Sequence, residues 1–297
     1  MNNNGMAKSR KRVIYVTGES GQLGNEIKKA SNENSHSFKF LRREHLDLCS
    51  DNSIINVFEN NDFHYFINCA AYTNVEKAEN YPKDADRVNH HAVKLIAEQC
   101  DKHDVFLIHI STDYVFDGQS EIPYREDSVC NPINEYGISK RNGEIAIEEI
   151  SPKSIIIRTS WLYSSLGSNF ITKIIDRSKK TKKISVVNDQ YGSPTYAADL
   201  ARTILKILDQ LDLENDNEWP NILHYTNQGV CSWNEYAKEV FRILNINCKI
   251  NEISTKDLDS ALKRPVNTKL DTTKFSETFD IKIPQWETSL EAYLLGK

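Results

Sequence analysis

The sequence predicts an α/β protein, an open doubly wound parallel sheet carrying a smaller C-terminal lobe. Three observations predict it. Short β-rich runs alternate with helical stretches through the first half of the chain. Those runs are continuously apolar, which suits strands covered on both faces. A glycine-rich turn follows the first of them directly. Together they define a Rossmann-type architecture, whose ligands lie at the carboxyl ends of the strands.

Taken in order, residues 13–17 (VIYVT) read as a strand, 22–31 as a helix, 38–41 (FKFL) as a strand and 52–60 as a helix. Strand 65–71 (YFINCAA) precedes a long helix over 83–103, with Pro82 at its start, where a missing N–H does no harm. Strand 105–111 (VFLIHIS), helix 135–149 and strand 154–160 (SIIIRTS) follow. Past Trp161 the rhythm loosens: helix 170–178, a strand from Ile184, helix 197–211, and the polar surface loop DLENDNEWPN over 212–221. A strand over 223–226 and helices over 233–244 and 286–294 complete the chain. The expected division is a flexible basic tail over 1–12, a dinucleotide-binding domain over 13–160 to which elements near 184–211 return, and a mainly substrate-binding lobe over 161–297.

Composition excludes several classes. With 297 residues, 39% hydrophobic and 27% charged, the chain can bury a sizeable core. Its net charge of -5 argues against wholesale binding to nucleic acid or an anionic membrane. No run approaches the roughly 20 apolar residues that span a bilayer, and MNNNGMAKSRKR lacks the apolar core of a signal peptide. Lys8, Arg10, Lys11 and Arg12 read as a solubilising tail, with a nucleic-acid arm as the alternative. Six scattered cysteines without a C-x-x-C pair fit reduced thiols, so a cytoplasmic protein is expected. The histidines show no ligand spacing; adjacent His90 and His91 are expected to point apart, and no metal is predicted.

The chemistry concentrates in three places. TGESGQLG sets Gly18, Gly21 and Gly24 where the first strand turns into a helix, so that a pyrophosphate meets free N–H groups and the positive end of the helix. Arg42 and Arg43 follow the second strand, with Arg42 18 residues beyond Gly24, at the position where an Asp or Glu marks NAD preference. An arginine there can pair with a 2'-phosphate, which predicts NADPH as preferred cofactor and NADH as a second candidate; two solvated arginines are the alternative. Asp47, with Leu48 beside it, is a further cofactor contact.

Third, Thr112 closes the fourth strand, and Tyr136 and Lys140 follow four apart, on one face of a helix start. A Lys ammonium about 4 Å from a phenol, at an effective dielectric of about 20, stabilises phenolate by roughly 4 kcal/mol, lowering its pKa by roughly 3. Tyr136 then exchanges a proton near neutral pH, and Thr112 holds the substrate oxygen that receives it. With thirteen tyrosines, about one Y-x-x-x-K match is expected by chance. Tyr293 and Lys297 form a second match, after no strand, and are assigned to chance. The order of glycine turn, strand-end threonine and Tyr–Lys helix distinguishes the first.

These residues resemble the extended, nucleotide-sugar branch of the short-chain dehydrogenases/reductases. Longer stretches are similar to its dTDP-4-dehydrorhamnose reductase subfamily: NCAAYTNVEKAE, STDYVFDG, NEYGISK, RTSWLY, NDQYGSPTYAADLA, GVCSWNEYA and RPVNTKL. The resemblance implies hydride transfer from a reduced nicotinamide to the C4 keto carbon of dTDP-4-dehydro-6-deoxy-L-mannose, giving dTDP-L-rhamnose. It implies Tyr136 as proton donor, Lys140 as its tuner and ribose ligand, and Thr112 as the residue that orients the carbonyl. Gly21, Gln22 and Leu23 are implied at the pyrophosphate, and Ala71, Tyr72 and Thr73 beside the cofactor. Thr112, Asp113 and Trp161 match substrate contacts, with Asn169, Gln190 and Arg264 toward the nucleotide and its diphosphate. For Trp161 a core aromatic at the lobe junction is the alternative, and for Arg264 a solvated side chain beside a proline. Some members form homodimers with magnesium at the interface; only Glu26 matches such a carboxylate here.

Two rivals share the residues. One is a reductase or reductase-epimerase for another deoxy-ketosugar nucleotide, such as a UDP sugar. The other is a non-catalytic regulatory subunit that keeps the dinucleotide site.

Overall fold

The computed structural model describes residues 11–150, 153–213, 219–258 and 262–296. The first ten residues of the expected tail, the middle of the 212–221 loop and Lys297 of the second Tyr–Lys match lie outside these. Along the chain come β1 Val13–Thr17, α1 Gln22–Ala30, β2 Ser37–Leu41, α2 Asp51–Glu59, β3 Tyr65–Asn68, α3 Val75–Asn80 and α4 Pro82–Asp86. Then follow α5 Ala92–Lys102, β4 Phe106–Thr112, α6 Glu135–Ile150, β5 Ser154–Thr159, β6 Leu162–Tyr163, α7 Phe170–Ser178 and β7 Lys183–Val187. The C-terminal part adds β8 Tyr191–Gly192, β9 Thr195–Tyr196, α8 Ala197–Leu213, β10 Ile222–His224, β11 Cys231–Ser232, α9 Trp233–Ile243, β12 Lys249–Ile253, α10 Thr273–Phe279 and α11 Trp286–Leu295.

Six parallel strands form the main sheet in the order β10-β5-β4-β3-β1-β2. The order reverses between β1 and β3, and at such a switch point the loops part and open a crevice. Alternation along each strand feeds two cores: Ile14 and Val16 of β1 face the side covered by α1, α8 and α10, while Tyr15 faces the side covered by α2, α5 and α6. Both faces are therefore dry, as the unbroken apolar runs require.

Of the elements expected to return to the sheet, α8 packs on α1, whereas β7 pairs with β12 in the smaller lobe; β10 completes the sheet edge. That lobe has its own core, with Tyr163, Ile171, Ile184, Tyr236, Val240 and Trp286. No helix of the described residues is long and apolar enough to cross a membrane.

The long helix expected over 83–103 is interrupted. Residues Arg87–His91 form a π turn between α4 and α5. The extra residue of a π turn changes which side chains share a face, and it corrects the expectation that His90 and His91 diverge. His90 Nδ1 lies 2.9 Å from one Asp86 oxygen and His91 Nε2 2.9 Å from the other. Asn89, fully buried, accepts from Tyr72 N–H at 2.8 Å and donates to Ser139 Oγ at 3.0 Å. The π turn thus ties the loop after β3 to α6. Strand β3 stops at Asn68, short of the expected Ala71, and residues 69–71 leave the sheet to line the crevice.

Candidate active site

Glycine fixes the turn after β1. Gly18 has φ +75°, and a Cβ there would stand 2.9 Å from Ala70 N. A Cβ on Gly24 would stand 2.3 Å from Gly18 O. Gly24 therefore lets α1 close on the turn and itself lines no cavity.

Two joined cavities of about 530 and 620 Å³ meet over this turn, sharing Gly18, Ser20, Ala70 and Ala71. The first takes in Leu41, Arg42, Arg43, Asp47, Leu48 and Tyr72. The second takes in Gly21, Gln22, Leu23, Thr73, Thr112, Asp113, Tyr136, Lys140, Trp161 and Asn169. Residues spread over 150 positions of sequence thus meet in one crevice.

At its floor, β4 delivers Thr112 and α6 delivers Tyr136 and Lys140. Helix α6 reaches Thr112 because Gly137 lacks a side chain: a Cβ there would stand 2.1 Å from Tyr114 O. Asn134 caps the helix start, accepting from Gly137 N–H at 2.9 Å. The Tyr136 ring sits edge-on to Tyr114 at 5.7 Å.

Burial holds the Tyr136 phenol well above its ordinary pKa, and its hydrogen bond with Thr112 opposes that only partly. Lys140, expected to tune the phenol, turns its Nζ to other partners. The lysine is 1% exposed, and its Nζ donates to Ile110 O at 2.7 Å and meets His109 Nε2 at 3.1 Å. Burial lowers its own pKa to about 8, so the charge expected to stabilise phenolate is itself disfavoured by the same dry surroundings. Thr112 Oγ1 donates to Asp113 Oδ1 at 3.0 Å. Burial pushes the Asp113 carboxyl up to about 6, and its Oδ2 has no hydrogen-bond partner.

The far wall is aromatic. Trp161, at φ +45°, stacks on Trp233 with centroids 3.4 Å apart. Gly192 makes room for the indole, since a Cβ there would stand 2.7 Å from it. Trp161 is thus both a lobe-junction aromatic and a cleft wall. Asn169 is held in structure: it caps α7 and donates to Gln22 Oε1 at 3.1 Å. Gln190 and Arg264 line neither cavity. Gln190 donates to Thr255 Oγ1 at 3.1 Å, and Arg264 donates to Glu76 at 3.1 Å.

Near the second strand, Arg42 donates from Nε to Glu19 at 2.9 Å, and Lys28 also pairs with that carboxylate. Arg42 first, then Lys28, hold the Glu19 carboxyl below its ordinary range. Arg43 sits 3.5 Å from Asp47. Glu19, Asn89, His109 and Trp233 escaped the sequence reading. Glu19 stood inside the glycine turn, where an acidic side chain beside Arg42 was the available signal; the other three carried none.

The chain matches the model of the RmlD substrate binding domain over residues 11–296. It belongs to that family. Among its relatives, dTDP-4-dehydrorhamnose reductase of Aggregatibacter actinomycetemcomitans is 33% identical over 94% of this chain and 97% of its own. A probable dTDP-4,6-dihydroxy-2-methyloxan-3-one 4-ketoreductase of Streptomyces antibioticus is 36% identical over 77% and 76%. The crystal structure of dTDP-4-dehydrorhamnose reductase from Bacillus anthracis in complex with NADP superposes with a TM-score of 0.90, at 33% identity, over 97% of this chain and 100% of that one.

Proposed function

We propose that this chain is a cytoplasmic reductase that uses NADPH to convert the C4 keto group of dTDP-4-dehydro-6-deoxy-L-mannose into the hydroxyl of dTDP-L-rhamnose. The observation that carries the reading is the meeting of Thr112, Tyr136 and Lys140 in one crevice continuous with the glycine turn. The residues fit a dinucleotide. The cradle at Gly18 leaves no space for a Cβ, the start of α1 presents free N–H groups, and Arg42 stands at the rim of the adjoining cavity. When bound, NADPH supplies the hydride.

The protein supplies the proton and the orientation. Tyr136 and Thr112 together hold the carbonyl oxygen, and the phenol gives up its proton as that oxygen gains charge. A phenol kept fully protonated by burial is suited to donate. Lys140, which lines the crevice from α6, would hold the ribose of the bound cofactor as an ammonium, so turnover depends on its charge. Asp113 Oδ2, buried and unpartnered, accepts from a sugar hydroxyl. The Trp161–Trp233 stack gives the sugar a flat wall. Gln190 and Arg264 carry no role in this reading.

A second substrate, another dTDP-linked 4-ketosugar, is favoured by the Streptomyces relative. The test follows loss of NADPH absorbance with the dTDP-4-keto sugar generated by upstream enzymes, beside the UDP analogue and a reaction lacking the epimerase. Turnover only with the epimerised dTDP sugar supports the proposal. Turnover with the UDP sugar or without the epimerase moves it to a related reductase, and NADPH binding without any turnover to a regulatory subunit.

A further inference from the structure

Behind Lys140 runs a line of buried polar groups that the reaction itself does not use. Lys140 Nζ meets His109 Nε2 at 3.1 Å, His109 Nδ1 meets Asn68 Nδ2 at 3.1 Å, and Thr17 Oγ1 donates to Asn68 Oδ1 at 2.7 Å. Thr17 in turn accepts from Ala70 N–H at 3.1 Å, in the loop that lines the crevice. All four side chains are at most 2% exposed. Their partners along the line are one another, so donors and acceptors must match from one to the next.

We propose that His109 is a positioning residue for Lys140, whose imidazole tautomer switches with the charge on the lysine and turns Asn68 and the Thr17 hydroxyl with it, on the glycine-turn side of the crevice. The reasoning is a count of hydrogens. An amide NH2 only donates, so in the arrangement seen His109 Nδ1 accepts and a neutral ring carries its hydrogen on Nε2. That hydrogen points at Lys140, which must then offer a lone pair and be an amine. When the pair takes up one proton from the solvent of the crevice, Lys140 is an ammonium that donates, Nε2 accepts, and the ring carries its hydrogen on Nδ1. Asn68 then turns its Oδ1 to the ring and its NH2 to Thr17, and the Thr17 hydroxyl rotates to point its hydrogen toward the cavity that Thr17 lines.

The imidazolium is closed to this ring, because burial first and the Lys140 charge second hold its pKa well below the ordinary value. The other groups near Lys140 leave the titration to this pair. Cys69, from the end of β3, is held as a thiol by burial, with its pKa pushed up to about 12. Glu144, on α6 itself, is ionised but paired with Arg158 and Arg141. Tyr136, on the same helix, is kept protonated.

The first test reads the tautomer alone, in the intact unmodified protein with 15N-labelled histidine. His109 is assigned by the signal lost in His109→Gln. The expected result is hydrogen on Nδ1 below the Lys140 transition, near pH 8, and on Nε2 above it, with no imidazolium. One tautomer throughout overturns the proposal. This readout needs no turnover, so it stands apart from the reductase reading, on which only the second test rests. There, kcat against pH is compared in His109→Gln, which keeps an acceptor for the ammonium, and His109→Leu, which keeps none. The alkaline limb moves down by about one pH unit in the leucine variant, for the loss of a hydrogen bond to a charged group, and stays in place in the glutamine variant. Equal losses of kcat in both, with unmoved limbs, reduce His109 to packing and overturn it.

Discussion

Arg42 donates from Nε to the carboxylate of Glu19 at 2.9 Å, across the mouth of the cavity beside the glycine turn. The guanidinium offered to a 2'-phosphate is thus already held by a carboxylate that repels one. Replacing Glu19 by Gln removes the competitor. The ratio of KM for NADH to KM for NADPH is expected to rise by roughly 1.4- to fivefold, the scale of one exposed ion pair. Steady-state kinetics with both cofactors measure it, and an unchanged ratio sinks the assignment of Arg42.

Tyr136→Phe removes the proton donor and leaves the ring packed against Tyr114. Expected is a fall in kcat of about 10²- to 10⁴-fold, with the Kd for NADPH, read by fluorescence titration, almost unmoved. Undiminished turnover is the result that refutes the mechanism.

Gly24→Ala places a methyl against Gly18 O, where its Cβ would be 2.3 Å away. The turn must open. Overpacking of this kind is worth about 1–3 kcal/mol, so NADPH binding weakens by roughly five- to a hundredfold. Calorimetric titration reads this directly, and wild-type affinity would contradict the cradle.

Arg158 and Glu144 form an ion pair with side chains 1% and 0% exposed. Arg158→Met leaves the buried carboxylate with Arg141 as its one remaining ion-pair partner, at a loss of up to about 3–5 kcal/mol in urea unfolding. Adding Glu144→Leu is expected to restore most of that, because the under-compensated buried charge is then gone. A double variant no better than the single one argues against the pair.

His224 is fully buried, with its Nδ1 3.1 Å from Tyr124 O. Burial, then Arg158, lower its pKa to about 3. Between about pH 6.5 and 3 the unfolded chain binds a proton that the folded chain refuses, so stability falls with acidification through that window. The loss from this group is on the order of 5 kcal/mol. His109 acts in the same direction, and Asp113, raised to about 6, opposes between about pH 4 and 6. Urea midpoints across this range measure the slope, and His224→Phe is expected to flatten it. An equally steep slope in that variant refutes the account.

The sequence by itself determined the sheet, the glycine turn and the Thr112, Tyr136 and Lys140 set, because these follow from local rules. Strand and helix periods, glycine geometry and i,i+4 spacing act over a few residues, and their order along the chain places them at one sheet edge. What only the tertiary structure decided is who meets whom. Lys140 turns to His109 rather than to Tyr136, and Arg42 turns to Glu19. Asn169 and Gln190 satisfy neighbours from distant segments, and Trp161 finds Trp233. The π turn that joins His90 and His91 on Asp86 likewise left no mark in the pattern. These choices rest on burial, since a polar group withdrawn from water takes whichever partner packing brings within reach. Outside the π turn that partner stands anywhere from 23 to 147 residues away, as for Glu19 with Arg42 and Gln22 with Asn169, beyond the range of any local rule.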